Sequence, residues 1–281
     1  MSTRHQLKTR HFDVAYWTYG QPHNPPIVMI HGFRGTHDGL HLIAQQLESR
    51  FFVITPDLPG FGDSSEFMNG QHNLPNYNSF LAEFIDLLNL TTKPILLGHS
   101  FGSILVSSFV STNNVAISKL ILINPISAPA LAGPKAILSK LALAYYQVGA
   151  KLPGRLGYTW LAAKPIVWLM SKTMAKTDDK QLIKYIDNQH YQHFSRFKSK
   201  QSVLETFEVS ISSTVRDFAA KITAPTLLVV GDQDDIAPLD KQRELAALLP
   251  NATLRIIEGV GHLIHYETPE LAAKHITKFA T

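Results

Sequence analysis

Short apolar runs alternate with longer amphipathic ones along most of the chain. Ile27–Ile30, Phe51–Ile54, Ile95–Leu97, Leu120–Ile123, Thr226–Val230 and Leu254–Ile257 are apolar or nearly so. A run of this length without alternation predicts a strand covered on both faces, as in a parallel sheet. Phe12–Tyr19, of mixed period, predicts one more strand. Between them, Leu40–Leu47, Phe80–Leu88, Ser103–Val110, Asp240–Leu249 and Pro269–Phe279 space their apolar residues at three and four, which predicts helices. This order implies an α/β fold: a mainly parallel, doubly wound sheet with helices on both faces.

The alternation stops between Pro125 and Thr214. Leu138, Leu141, Tyr145 and Val148 mark one helix face there. Ile166, Leu169 and Met170 suggest a second helix, and Leu182, Ile183 and Ile186 a third. Pro153, Gly154 and Pro165 punctuate them. The expectation is a core formed by residues 1–125 and 215–281, with an all-helical cap inserted at 126–214.

Composition narrows the class. With 281 residues, 45% hydrophobic and 17% charged, the chain is of the soluble globular kind. No internal repeat or low-complexity tract is present. Met1–Arg10 is polar and basic and lacks the apolar core of a secretion signal. Lys140, Lys164 and Pro165 break the longest apolar stretches short of the roughly 20 residues a bilayer needs. These features point to a cytoplasmic protein with no stable membrane insertion. There is no cysteine, so disulfides, thiolate metal sites and a cysteine nucleophile are excluded. The net charge of +4 is a modest excess. Its densest cluster, Arg196, Lys198 and Lys200, reads as a solvated helix end, and no nucleic-acid partner is expected.

The candidate chemistry lies in the loops that follow the strands. Gly98-His99-Ser100-Phe101-Gly102 comes directly after Ile95–Leu97 and directly before a helix. A serine on such a tight turn projects its hydroxyl outward, and the helix behind it adds partial positive charge. A serine nucleophile needs a base, a group that orients the base, and donors for the oxyanion. After Leu254–Ile257, the loop Glu258–Pro269 offers His262 as base, with His265 as rival. After Thr226–Val230, the loop Gly231–Pro238 offers Asp234 as the orienting acid, with Asp232 and Asp235 as rivals. The backbone N–H groups of Phe33, in the turn after Ile27–Ile30, and of Phe101 are the candidate oxyanion hole. Asp57–Ser64, with a proline and two glycines, reads as a rigid structural or pocket-lining loop. Ser100, Asp234 and His262 stand in the chain order of one class of serine hydrolases.

Taken together these segments resemble the α/β-hydrolase fold family. The resemblance rests on His31-Gly32-Phe33, Asp57–Ser64, Gly98–Gly102, Gly231–Pro238 and the Gly261-His262…Glu267-x-Pro269 end, and covers residues 12–124 and 222–281. It implies Ser100 as nucleophile, His262 as base, Asp234 as acid and the N–H groups of Phe33 and Phe101 as oxyanion hole, with a helical cap in the remainder. Ser100 disfavours the subfamilies with an aspartate nucleophile. The His-Gly-Gly-Gly turn of some lipases is absent, and Ser103 stands where many relatives carry a second glycine.

The activity expected is hydrolysis of carboxylic esters of small to medium lipophilic substrates through an acyl-enzyme, with no cofactor and no metal. Tyr145, Tyr146, Tyr158, Trp160, Trp168 and Met170 in the cap are expected mostly to pack it, with a few lining an apolar pocket. The same residues serve carbon–carbon bond hydrolases, lactonases, amidases and perhydrolases. A non-catalytic ligand-binding protein of the same fold is the alternative from another class. A homodimer is compatible with the sequence.

Overall fold

The computed structural model describes residues 2–112, 116–131 and 136–281. Met1 of the basic N-terminal stretch and residues 132–135 of the expected insertion lie outside them. The chain opens with β1 (Thr3–Lys8), β2 (Asp13–Tyr19) and β3 (Pro26–Ile30), then a 3₁₀ turn at His37–Leu40 that runs into α1 (His41–Leu47). β4 (Phe52–Pro56), α2 (Leu74–Leu87), β5 (Ile95–His99), α3 (Phe101–Thr112) and β6 (Lys119–Ile123) continue the alternation. Helices α4 (Ala136–Lys151), α5 (Gly154–Leu161), α6 (Lys164–Met174), α7 (Lys180–His193), α8 (Lys200–Ser212) and α9 (Arg216–Ala219) follow without a strand among them. The sheet resumes with β7 (Thr226–Gly231), α10 (Leu239–Leu248), β8 (Ala252–Ile257), α11 (Ile264–Glu267) and α12 (Pro269–Ala280).

Among the described residues the strands form one sheet in the order β1-β2-β4-β3-β5-β6-β7-β8. β1 and β2 are antiparallel to their neighbours, and every pairing from β4 to β8 is parallel. The order reverses between β3 and β5. Loops leaving the carboxyl ends of these two strands diverge to opposite sides and leave a crevice, the place where open α/β sheets bind ligands.

The unbroken apolar strands have a direct structural reason. Successive side chains point to opposite faces. Val28, Ile30, Leu96, Leu120, Leu122 and Leu228 pack against α2 and α3. Ile27, Met29, Ile95, Leu97, Ile121 and Leu227 pack against α1 and α12. A polar residue at any of these positions would meet a helix, not water. Residues 101–109 of α3 are all buried, as expected for a helix at the centre of the fold.

Three elements depart from the sequence reading. β1 was not anticipated: Thr-Arg-His-Gln-Leu-Lys has no buried residue and is held by backbone pairing, Thr3 with Thr18 through Lys8 with Asp13. α2 starts earlier than Phe80, because the Asn73 side chain accepts from the Asn76 N–H at 3.0 Å and Pro75 sits in the first turn. α4 forms where its period places it, but Leu138, Leu141 and Val148 are exposed, while Tyr146 and Gly149 are buried. The glycines select the packing side. A Cβ on Gly149 would lie 2.5 Å from the Leu161 side chain, and one on Gly157 would overlap the Gly149 carbonyl.

Candidate active site

The turn after β5 is closed by its two glycines. A Cβ on Gly98 would lie 2.5 Å from the Gly102 carbonyl oxygen, and one on Gly102 would lie 2.7 Å from the His31 oxygen. Between them Ser100 adopts φ 53°, the left-handed region that costs an ordinary residue on the order of 1 kcal/mol. The surrounding sheet holds it there: the Ser100 N–H donates to the Ile123 carbonyl at 3.1 Å. Ser103 uses its hydroxyl where a glycine would have none. It donates to the Ser100 carbonyl at 2.5 Å and accepts from the Ile126 N–H at 3.2 Å.

Three distant loops meet at the Ser100 hydroxyl. His262 Nε2 lies 2.8 Å from Ser100 Oγ, and His262 Nδ1 lies 2.7 Å from Asp234 Oδ2. Asp234 Oδ1 accepts the N–H groups of Ile236 at 2.8 Å and Ala237 at 3.0 Å. Burial alone would raise the pKa of this carboxyl. The charge and hydrogen bond of His262 and the two N–H donors outweigh it and hold the group below its ordinary value. Asp234 is therefore ionised and fixed at both oxygens.

The rival residues are engaged elsewhere. Asp232 accepts the Gly259 N–H at 2.7 Å and so ties the loop after β7 to the loop after β8. Asp235 pairs with Lys176 at 2.5 Å on the surface. The His265 ring packs at a tilt against His99 at 4.2 Å and Tyr266 at 4.1 Å between centroids, and its Nδ1 has no hydrogen-bond partner among the described residues. Burial, and after it the neighbouring His99, push His265 well below the ordinary histidine value. Burial also lowers His99 to about 3. Both rings are neutral near pH 7 and put no competing charge beside His262.

The turn after β3 approaches from the other side. A Cβ on Gly32 would lie 3.3 Å from Ser100 Cβ. Among the described residues neither the Phe33 N–H nor the Phe101 N–H donates a hydrogen bond to another residue. The turn is pinned by His31. Its Nε2 accepts the Leu58 N–H at 3.0 Å, so Nδ1 carries the proton and donates to the Gly32 carbonyl at 2.8 Å.

Several residues of the site were not singled out in the sequence. Arg34, at φ 58°, is buried beside the turn. It donates to the carbonyls of Phe194 at 2.8 Å and Leu161 at 2.9 Å, and to the Tyr146 hydroxyl at 3.4 Å. One guanidinium thus anchors α5, α7 and α4 to the turn after β3. Arg34→Ala is expected to lower stability by about 2 to 3 kcal/mol, because it strands two buried carbonyls and opens a void; the midpoint of urea unfolding measures it. Asn124, at φ 40°, donates from Nδ2 to the Gly261 carbonyl and accepts the Gly231 N–H, each at 2.9 Å. It positions the loops that carry His262 and Asp234. No spacing in the sequence announces either residue.

A cavity of about 700 Å³ opens onto Ser100 and His262. Its walls are largely apolar, from Leu138, Met170, Met174, Phe194, Phe207 and Ile211. The aromatic side chains expected to contribute do not line it. Tyr146 is buried against Phe33 and Phe207, while Trp160 and Trp168 face solvent. Only Met170 of that set borders the cavity. His190 also borders it, buried, with neither ring nitrogen hydrogen-bonded and burial lowering it to about 4. None of Asp57–Ser64 reaches it, so that loop is structural. Arg196 of the basic cluster pairs with Asp63, and Lys200 donates to the Leu152 carbonyl. Among the described residues no group of histidine and carboxylate side chains is arranged to hold a metal ion. Among them, too, no helix is long and apolar enough to cross a membrane.

The sequence profile of the Alpha/beta hydrolase family matches residues 27–275. The chain belongs to that family. Relatives from this family span nearly the whole chain. The uncharacterized hydrolase YugF of Bacillus subtilis is 24% identical over 278 residues, covering 95% of this chain and 94% of its own. Lipase 1 of Psychrobacter immobilis is 24% identical over 273 residues, covering 95% and 80%. A thermophilic esterase from Thermogutta terrifontis shares the α/β-hydrolase fold with a TM-score of 0.78 at 22% identity, over 99% of this chain and 98% of its own.

Proposed function

We propose that the protein is a serine hydrolase that cleaves carboxylic esters of small to medium lipophilic substrates. The observation that carries this reading is the continuous contact Ser100 Oγ–His262 Nε2 and His262 Nδ1–Asp234 Oδ2 at the floor of an apolar cavity. Relatives named as a lipase and an esterase support ester chemistry. We take residues 126–214, with helices α4–α8, as a cap over the core.

In this mechanism His262 Nε2 accepts the Ser100 proton as Oγ bonds to the ester carbonyl carbon. Negative charge moves to the carbonyl oxygen, which the N–H groups of Phe33 and Phe101 stabilise; each such donor is worth roughly 3 kcal/mol in the transition state. The carbon–oxygen bond to the alcohol then breaks, and His262 returns its proton to that alcohol. Water, deprotonated by His262, attacks the acyl-enzyme and releases the carboxylic acid, and the proton goes back to Ser100. Asp234 holds the imidazole with Nδ1 protonated throughout, so Nε2 is free to act as base.

A fluorophosphonate probe tests the reading directly. One label per chain is expected, on the peptide that contains Ser100 and absent from Ser100→Ala. Failure to label the wild-type chain, or equal labelling of the variant, overturns it.

A further inference from the structure

Helix α4 is built with its apolar stripe turned outward. Ile137, Leu141 and Val148 recur at intervals of four and seven and are 71%, 62% and 46% exposed. A helix covering a core hides such a stripe. Lys140 and Lys151 fall on the same exposed side. On α6, Trp168 and Leu169 are 47% and 53% exposed, with Lys164 and Lys172 one turn before and after Trp168. Leu156, exposed, and its neighbour Arg155 repeat the pairing on α5.

The charge carried by α4–α6 has one sign. The chain has 22 Asp and Glu residues, yet none occurs between Asp86 and Asp178, while every helix from α4 to α6 carries lysine or arginine. Among the described residues no carboxylate pairs with Lys140, Lys151, Arg155 or Lys164; Lys172 pairs with Asp187 of α7. The same two helices frame the cavity. Leu138 of α4 and Thr173 of α6 are both exposed and both line it, as do Ile236 and Asp235, the latter paired with Lys176, so these residues border its opening to solvent.

We infer that this face docks on a lipid surface bearing anionic headgroups, with the cavity mouth turned to the lipid. Exposed apolar side chains ringed by cations satisfy both halves of such a surface: the side chains enter the acyl boundary while the lysines meet the phosphates. A second copy of the chain fits poorly, since a self-complementary contact would set the lysines of α4 and α6 against each other, with Asp187 already paired to Lys172. A nucleic acid would use the cations and leave Ile137, Leu141 and Leu169 idle. The substrate class follows from this docking together with the proposed role of Ser100: amphiphilic esters resident in an anionic lipid layer, drawn into the cavity without crossing water.

Flotation of the full chain with vesicles tests the docking apart from the chemistry. Binding is expected to vesicles of equal parts phosphatidylglycerol and phosphatidylcholine, to weaken with added salt, and to be slight on phosphatidylcholine alone. Ser100→Ala should bind as the wild type does, so a failure of the proposed chemistry leaves this result standing. Lys140→Ala with Lys164→Ala should weaken binding about fivefold for each cation removed. Leu141→Ser with Trp168→Ser should weaken it about tenfold, because apolar insertion supplies part of the affinity. Hydrolysis of a water-soluble short-chain ester by both double variants should match the wild type, which shows that they are folded. Absence of binding, binding indifferent to phosphatidylglycerol, or an undiminished Leu141→Ser/Trp168→Ser variant overturns the inference. So does a dimer that this variant abolishes, or equally tight binding of a single-stranded oligonucleotide.

Discussion

Ser100→Ala is expected to lower kcat for a soluble ester by on the order of 10⁶ while leaving the fold in place. The scale follows from the roles proposed for the three side chains. In the proposed mechanism no acyl-enzyme forms without the hydroxyl, and what remains is the stabilisation that the Phe33 and Phe101 N–H groups would give to direct attack by water. The fold should survive because Ser100 Oγ has a single partner, His262 Nε2. Losing that bond costs about 1 kcal/mol. The left-handed backbone at residue 100 is as strained for alanine as for serine, so it adds nothing to the difference. His262→Ala should match Ser100→Ala, and the double variant should be no worse than either, since the two act as one unit. Asp234→Asn should cost less, about 10⁴, by favouring the wrong tautomer of His262. Steady-state kinetics beside thermal unfolding separates these outcomes. Near-wild-type turnover in Ser100→Ala, or cleanly additive losses, would reject the assignment.

How far the site was legible depends on what each residue does. The turn around Ser100 was legible because its glycines answer a backbone demand: the Gly98 and Gly102 positions are pressed against carbonyl oxygens whatever the rest of the chain does. Asp234 and His262 were legible because each lies in the loop after a mainly apolar strand, which fixed the loop and left a choice among a few polar neighbours. That choice rests on geometry, since Asp232 and Asp235 differ from Asp234 only in what they touch. Arg34 and Asn124 were not legible. Their importance lies in distant carbonyls, Leu161 at 127 positions from Arg34 and Gly261 at 137 from Asn124, and no local pattern encodes such a meeting. β1 was missed because an edge strand held by backbone bonds needs no apolar residues. The packing side of α4 was not legible because periodicity reports an apolar stripe without saying what covers it, and there the close Gly149–Gly157 contact, not the leucines, decides which side packs.

The loop read from its proline and glycines as structural carries the largest stability effect expected in the chain. Asp57 is completely buried. Its Oδ1 accepts the His37 N–H at 2.7 Å and lies 2.8 Å from His37 Nδ1; its Oδ2 accepts the Asp63 N–H at 2.8 Å. A Cβ at residue 62 would overlap this carboxylate, which explains Gly62 at φ 56°. The carboxylate thus joins the carboxyl end of β4 to the 3₁₀ turn that leads from the His31–Gly35 segment into α1. Asp57→Asn keeps the shape but turns an NH₂ group toward buried N–H donors, and is expected to cost about 3 kcal/mol or more. For a chain of this size that corresponds to a fall on the order of 8 °C in Tm. Burial by itself would raise the pKa of Asp57; the hydrogen bond and charge of His37, then the charge of His31, outweigh it and lower the group below its ordinary value. A depressed folded pKa contributes stability that is fully present above the unfolded carboxylate value, about 3.9, and is lost as pH falls through the folded one. Asp234, also depressed, acts in the same direction. The deficit of Asp57→Asn should therefore be full at neutral pH and shrink in acid, where the protonated wild-type carboxyl becomes nearly the isostere of the amide. Unfolding midpoints of both proteins, taken from neutral pH down into the carboxylate range, measure this. A deficit that stays constant with pH would mean that the side chain acts here through its shape and not its charge.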